Sequence, residues 1–142
     1  MLHRFFFYKS VDDWKILLPF VGGAISLIYI IEKQQLDEAL LFKQLFYDFN
    51  KRYDDLNEEL KKIKDDSNIE LTETEKFLLS DYFNLCGEEY LFYKNGYIYP
   101  EVWESWVNGM RIFLKIEKIK VEWMNEFKTN SYYGLDIEKE VM

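Results

Sequence analysis

Histidine is almost missing from this sequence, in which His3 is the only one. Acid–base schemes and histidine-activated nucleophiles therefore lack their usual partner. Histidine-containing metal sites, including the Glu-x-x-His pairs of di-iron helical bundles, are excluded for the same reason. We expect a protein that is not an enzyme, with no catalytic residue, no cofactor and no metal.

Cysteine is equally scarce, because Cys86 stands alone and no internal disulfide can form. A free thiol suits a reducing compartment. Cys86 ends a largely apolar stretch, which favours a buried small hydrophobe over a reactive thiol. A phosphate-cradling loop is also missing, since Gly22 and Gly23 have apolar neighbours and no Lys-Ser/Thr follows them.

Basic residues are too few to balance the acidic ones: 18 Lys and Arg stand against 26 Asp and Glu, a formal net charge of −8. Residues 1–35 carry about +1 by direct count, so about −9 falls on the remainder. An acidic domain repels phosphate, which excludes nucleic acid as a partner. Aromatic residues, in contrast, reach 19% and predict a dense core.

Residues 16–31, hereafter the apolar segment, contain no charge, and Glu32 and Lys33 end them abruptly. With Trp14 and a snorkelling Lys15, the apolar core of residues 14–31 is long enough to cross a bilayer. Pro19 is more common in membrane helices than in soluble ones. We therefore predict a membrane segment over residues 1–35, in contact with membrane lipid.

A patch of small residues lies inside the apolar segment, formed by Gly22, Gly23 and Ser26. Small side chains let two membrane helices approach closely, so this patch is the predicted site of membrane-helix packing.

Three other interpretations of the apolar segment are a signal peptide, a core helix and an interfacial helix. A cleaved signal peptide is disfavoured, because Asp12 and Asp13 precede the segment and no small-x-small site follows it. A core helix of a soluble protein and an interfacial helix both stay open. The flanking basic residues slightly favour an internal amino terminus, whereas the free thiol favours a cytoplasmic C-terminal domain. We expect the latter, at the inner membrane.

Apolar residues then recur at alternating spacings of four and three residues, a seven-residue repeat, through a stretch without Gly or Pro. This spacing predicts a long stalk helix with one apolar stripe, hereafter the heptad seam. The heptad seam consists of Phe42, Phe46, Phe49, Tyr53, Leu56, Leu60 and Ile63. Its aromatic residues favour packing in a bundle, and self-association is the alternative. No helix breaker separates it from the apolar segment, so one helix is expected to contain both.

Three shorter helices follow in a predicted bundle domain of residues 36–130. Thr72 and Glu75 form a capping-box pattern at the start of the first, and Gly96 ends it. Pro100 starts the second, in which Gly109 indicates a close helix crossing. The third covers about residues 117–127. The C-terminal tail, residues 131–142, is expected to dock loosely or fray.

Glu88 and Glu89 are the acidic pair of most interest, because they lie in an otherwise aromatic helix. We expect one of them to face inward and form a buried ion pair with Arg111 or Lys94. The alternative is an ordinary solvated helix face.

Residues 88–106, which follow the stalk sequence of residues 49–56, resemble small single-pass membrane proteins of bacteria and their mobile elements. The resemblance implies a membrane-tethered helical domain and carries over no catalytic residue. Some accessory proteins of bacterial antiviral defence have a similar layout, which suggests an accessory or effector role by analogy of architecture alone.

Together these features predict an all-α protein, with an N-terminal transmembrane helix that continues into the stalk and packs with a small helical bundle. Its expected function is to self-associate or to bind a protein partner at the membrane. A membrane-disrupting pore is a less favoured function, because the patch of small residues at Gly22, Gly23 and Ser26 gives a poor polar lining. The alternative from another class is a soluble helical binding module that uses residues 16–31 as its core helix.

Overall fold

The fold was examined in a computed structural model, which describes the backbone of residues 9–142 and the side chains of residues 14, 15 and 17–142. His3 lies outside the described residues. Across the described part of the chain every regular element is a helix, as predicted. The five helices are α1 (Lys9–Asp65), α2 (Glu73–Lys94), α3 (Pro100–Leu114), α4 (Glu117–Phe127) and α5 (Ile137–Glu140).

Helix α1 contains both the apolar segment and the heptad seam in 57 uninterrupted residues, so the predicted continuity is confirmed. Pro19 lies within it near the N-terminal end. The helix ends at Asp65, where Asp66 accepts a hydrogen bond from the Asn68 backbone amide at 3.1 Å. Such a local side-chain bond offers the backbone an alternative to continuing the helix.

Both ends of α2 follow the sequence prediction. The Thr72 hydroxyl accepts from the Glu75 amide, and the Glu75 carboxylate accepts from the Thr72 amide at 2.7 Å. At the other end Gly96 has a φ of 80°, and the amide of Tyr97 donates to the Phe92 carbonyl. This is a Schellman arrangement, in which a left-handed residue lets the chain satisfy the last helical carbonyls.

The chain divides into two compact units, one ending at Leu40 and the other covering Leu41–Met142. In the second unit, α2, α3 and α4 contribute most of the core, together with the C-terminal half of α1. Trp123 is fully buried and stacks on Phe83 at a centroid distance of 4.5 Å. Tyr82 approaches the same indole edge-on at 5.9 Å. The abundant aromatic residues thus build the core, as their number predicted.

The C-terminal tail packs firmly into this core, so the prediction that it docks loosely or frays is wrong. Its buried residues are Tyr132, Leu135, Ile137 and Val141. The Tyr132 hydroxyl donates to the Glu126 carboxylate at 2.8 Å, which anchors the tail to α4. The bundle therefore extends to the end of the chain rather than to residue 130.

The close approach expected at Gly109 is also wrong, because a Cβ at that position would meet open space. The crowded glycine is Gly87 instead, where an added Cβ would lie 3.2 Å from the Tyr132 Cβ. Gly87 is crowded because Tyr132 of the C-terminal tail packs against α2, a contact that has no local sequence signature.

Candidate functional site

The heptad seam lies inside the second unit, and its residues face α2 and α3. Phe49, Leu60 and Ile63 are buried, and Phe42, Tyr53 and Leu56 are half-buried against the core. Phe46 is more exposed, at 42%, and stacks on Trp106. The heptad seam therefore packs into the helical bundle of its own chain, which is the packing that its aromatic residues favoured. Self-association through the same residues stays a prediction.

Next to the seam, Arg52 of α1 meets Glu88 of α2. The guanidinium donates to both carboxylate oxygens, at 2.5 and 3.2 Å. Such a bidentate pair is stronger and more directional than a single contact between a lysine and a carboxylate. Both side chains keep partial access to solvent, at 44% and 32% exposure, so the pair stabilises the fold only modestly.

The cation predicted for this pair was wrong. Arg111 donates instead to the Val141 carbonyl at 2.7 Å and to Asn108 at 2.8 Å, which fixes the C-terminal tail. Lys94 donates to the Tyr133 carbonyl at 3.1 Å. The inward-facing acid of the predicted pair does exist: it is Glu89, which is 5% exposed.

Glu89 has no hydrogen-bond partner among the described residues. Burial away from water raises its pKa to about 8, although the nearby Arg52 guanidinium opposes this change. Glu88 adds to the rise by like-charge repulsion. At neutral pH the Glu89 carboxyl is therefore mainly protonated, which is how a buried acid avoids an uncompensated charge.

A cavity of about 150 Å³ opens beside Glu89, between α1, α2 and α3. We call it the acidic cavity. Its lining comprises Asn50, Tyr53, Tyr82, Glu89, Ser105, Trp106, Gly109 and Met110. The missing side chain of Gly109 leaves part of this space free, which gives that glycine a role other than the predicted helix crossing.

Two other titratable groups next to the acidic cavity are also held neutral. Burial raises the pKa of Tyr82 and of the Cys86 thiol well above their usual values, and Glu89 adds to both changes. Cys86 is buried, as predicted for a small hydrophobe. A thiol with a raised pKa is a poor nucleophile, so nothing in this geometry activates it.

The predicted membrane-packing patch lies in the first unit, on the surface of α1. A Cβ added at Gly22 or Gly23 would meet nothing within 4 Å. The Ser26 hydroxyl donates back to the Gly22 carbonyl at 2.9 Å, so it is satisfied within its own helix. These three residues lie close together, and packing against another helix stays a prediction.

The surrounding apolar residues are exposed on every side of the helix. The large hydrophobic residues from Trp14 to Ile31 that the structure describes are all at least 53% exposed. Among the described residues, α1 is the one helix with a stretch long and apolar enough to cross a membrane, and none of that stretch is buried.

Sequence reasoning missed two cations that carry long-range contacts. Arg52 lies 36 residues from Glu88, and only its place beside a seam residue could have suggested a role. Lys118 has a 7% exposed side chain and donates to the carbonyls of Asp66 and Asn68, which ties the loop after α1 to α4. Neither contact has a local sequence signature.

In the part of the chain that the structure describes, no three His, Cys, Asp or Glu side chains are grouped as metal ligands. Comparisons with protein-family models, with characterised proteins and with solved structures find no match for this chain. The class of protein is described from its own structure: it is all-helical, with an exposed apolar helical segment and a bundle that contains the acidic cavity.

Proposed function

We propose that this protein is a non-enzymatic, single-pass membrane protein whose helical domain self-associates or holds a protein partner at the bilayer. The observation that carries the proposal is the exposure of the apolar segment. A helix that is apolar all round belongs either in a protein core or in a membrane. Residues 17–31 are covered by no part of the described chain, so lipid is the environment that suits them.

The dimensions support the same proposal. Residues 14–31 in a helix span about 27 Å at 1.5 Å per residue, close to the roughly 30 Å of a bilayer's hydrocarbon core. Trp14 and Tyr29 lie towards the two ends, where amphipathic aromatic rings favour the interface. The Ser26 hydroxyl already has its partner at Gly22, so little polar burial opposes insertion.

A soluble binding module is the alternative function. It would need another chain to cover residues 17–31, because monomeric soluble proteins rarely expose an apolar surface of this extent. We favour a cytoplasmic domain, since Cys86 is a free thiol. An accessory or effector role in bacterial antiviral defence stays a prediction from the resemblance alone.

Charge placed at the centre of the apolar segment tests the anchor. The double substitution Ile25→Arg and Ile28→Arg is expected to move most of the protein out of the membrane fraction. Each arginine at the centre of a membrane helix costs about 3 kcal/mol relative to an aliphatic residue. Both positions are exposed, so the bundle itself should not be disturbed.

The matched control adds the same two charges at Gln34 and Gln35, on the same helix but beyond the apolar segment. This variant should fractionate like the parent protein. Equal membrane retention of the Ile25/Ile28 variant and the parent would refute the proposed anchor.

Self-association through the small patch is tested by Gly23→Leu. A bulky side chain at that position should keep two helices apart, because small residues are what permit close approach in a membrane. We expect several-fold less cross-linked oligomer in intact membranes. Val21→Leu, about 160° away around the helix, serves as the control. An unchanged oligomer in the Gly23 variant would exclude this face as the contact.

A further inference from the structure

The acidic cavity has walls suited to a small organic cation. Tyr53, Tyr82 and Trp106 supply aromatic surface, and electron-rich ring faces attract ammonium groups. The Asn50 amide nitrogen already donates to the Phe46 carbonyl at 2.6 Å, so its oxygen is left as an acceptor. The polar lining is therefore rich in acceptors and includes no cationic side chain.

The charges around Glu89 would also be balanced by one added cation. Arg52 is committed to Glu88 through two hydrogen bonds, and Glu89 is buried with no hydrogen-bond partner among the described residues. Ionised Glu89 would thus give two carboxylates facing one guanidinium. One bound monocation would balance the excess charge, and would give the Glu89 carboxylate the partner that it lacks.

The size of the acidic cavity limits the ligand. A volume of about 150 Å³ is comparable to an engineered cavity that accepts benzene. Glu89 is the one carboxylate in the lining, which is little negative charge for a divalent metal ion, whereas one carboxylate among aromatic rings suits a monovalent alkylammonium.

We propose that the acidic cavity is a binding site for a primary alkylammonium group, with Glu89 as its counter-ion and Tyr53, Tyr82 and Trp106 around its methylene groups. The same chemistry is offered by a free small alkylamine and by the lysine side chain of a protein partner. The site lies wholly within the bundle, so it does not depend on whether α1 crosses a membrane.

Binding by this route is coupled to a proton. The groups facing Glu89 are Arg52 and Tyr53 from α1, and Tyr82, Cys86 and Glu88 from α2; the α3 lining residues do not titrate. Burial raises the pKa of Tyr53, Tyr82 and Cys86, so they stay neutral while Glu89 ionises. An arriving ammonium must therefore displace the proton of Glu89.

The experiment is a calorimetric titration of the full-length protein in mild detergent with n-butylammonium, in buffers of different ionisation enthalpy. At pH 7, with a Glu89 pKa of about 8, we expect about 0.9 proton released per ligand bound. The Kd should fall about tenfold per pH unit between roughly pH 6 and 8 and level off above that. 1-Butanol, which has the same shape but no charge, should bind at least about tenfold more weakly.

Two variants distinguish binding in the acidic cavity from nonspecific binding elsewhere on the protein. Glu89→Gln should weaken n-butylammonium at least about tenfold and abolish proton release. Gly109→Leu should block binding by filling the acidic cavity while leaving Glu89 in place. Circular dichroism confirms that each variant is folded. Absence of saturable binding by the parent up to about 10 mM, or binding that both variants leave unchanged, would overturn the proposal.

A second ligand separates the two sources of the ammonium group. Nα-acetyl-lysine methylamide presents the same butylammonium chain on a peptide backbone. Comparable affinity for both ligands supports the site and points to a partner's lysine side chain. Binding of n-butylammonium alone supports the site and points to a free amine.

Discussion

Replacing Trp123 with alanine is expected to lower the free energy of unfolding by about 3–5 kcal/mol. The side chain is completely buried and contacts rings of α2, including the stacked Phe83. Its removal takes away apolar burial and leaves a cavity that three packed helices cannot fully close. Urea unfolding of the detergent-solubilised protein, followed by circular dichroism, measures the effect.

Two further substitutions in α4 serve as controls for Trp123→Ala. Trp123→Phe should cost much less, since it keeps a ring and removes an indole N–H that has no hydrogen-bond partner within the described structure. Val121→Ala, on the exposed side of the same helix, should change stability by less than about 0.5 kcal/mol. A Trp123→Ala cost as small as that of Val121→Ala would mean that the core is not packed as described.

Replacing Glu89 with glutamine is expected to stabilise the protein at neutral pH, by about 3 kcal/mol at pH 7. Well below pH 4.5 the carboxyl is neutral in both the folded and the unfolded chain, so it contributes no pH dependence there. As the pH rises, the unfolded chain loses its proton first, whereas the folded carboxyl keeps its proton until about pH 8. Stability of the parent should therefore fall across this window, and the glutamine variant should lack that component.

The measurement is the free energy of unfolding at pH 5, 7 and 9 for the parent and the variant. The difference between the two proteins should be below about 1 kcal/mol at pH 5 and should grow steadily at pH 7 and pH 9. Glu104→Gln, an exposed substitution on α3, is the control and should run parallel to the parent. Parallel curves for Glu89→Gln and the parent would show that Glu89 is not buried in its neutral form.

Helix ends were predictable because their chemistry is local. The capping box at Thr72, the left-handed Gly96 and the proline that opens α3 each act within a few residues of their own position. The heptad seam was predictable for a related reason, since its spacing records which face of one helix is covered. These signals predicted α2, α3 and α4 in order and with bounds close to those observed, whereas α5 was not predicted.

The acidic cavity was not predictable, because it depends on contacts between residues far apart in the chain. Glu88 and Glu89 stand out in the sequence, but Arg111 or Lys94 was the predicted partner, and the contact with Arg52 is seen only in the fold. The same limit explains the C-terminal tail, whose apolar residues are too scattered to show a helical period. Gly109 was given a packing role because a glycine alone does not reveal whether it borders a neighbour or an empty space.

The central claim is that the apolar segment anchors this protein in a bilayer, and alkaline carbonate extraction tests it most directly. Cells that express the full-length protein are compared with cells that express a fragment covering Leu41–Met142, the second compact unit. The membrane and soluble fractions of both are analysed after carbonate treatment. We predict that the full-length protein stays in the carbonate-washed membrane, while the fragment is soluble and helical. Release of the full-length protein by carbonate, together with an unfolded fragment, would contradict the account and would mean that protein, rather than lipid, covers residues 16–31.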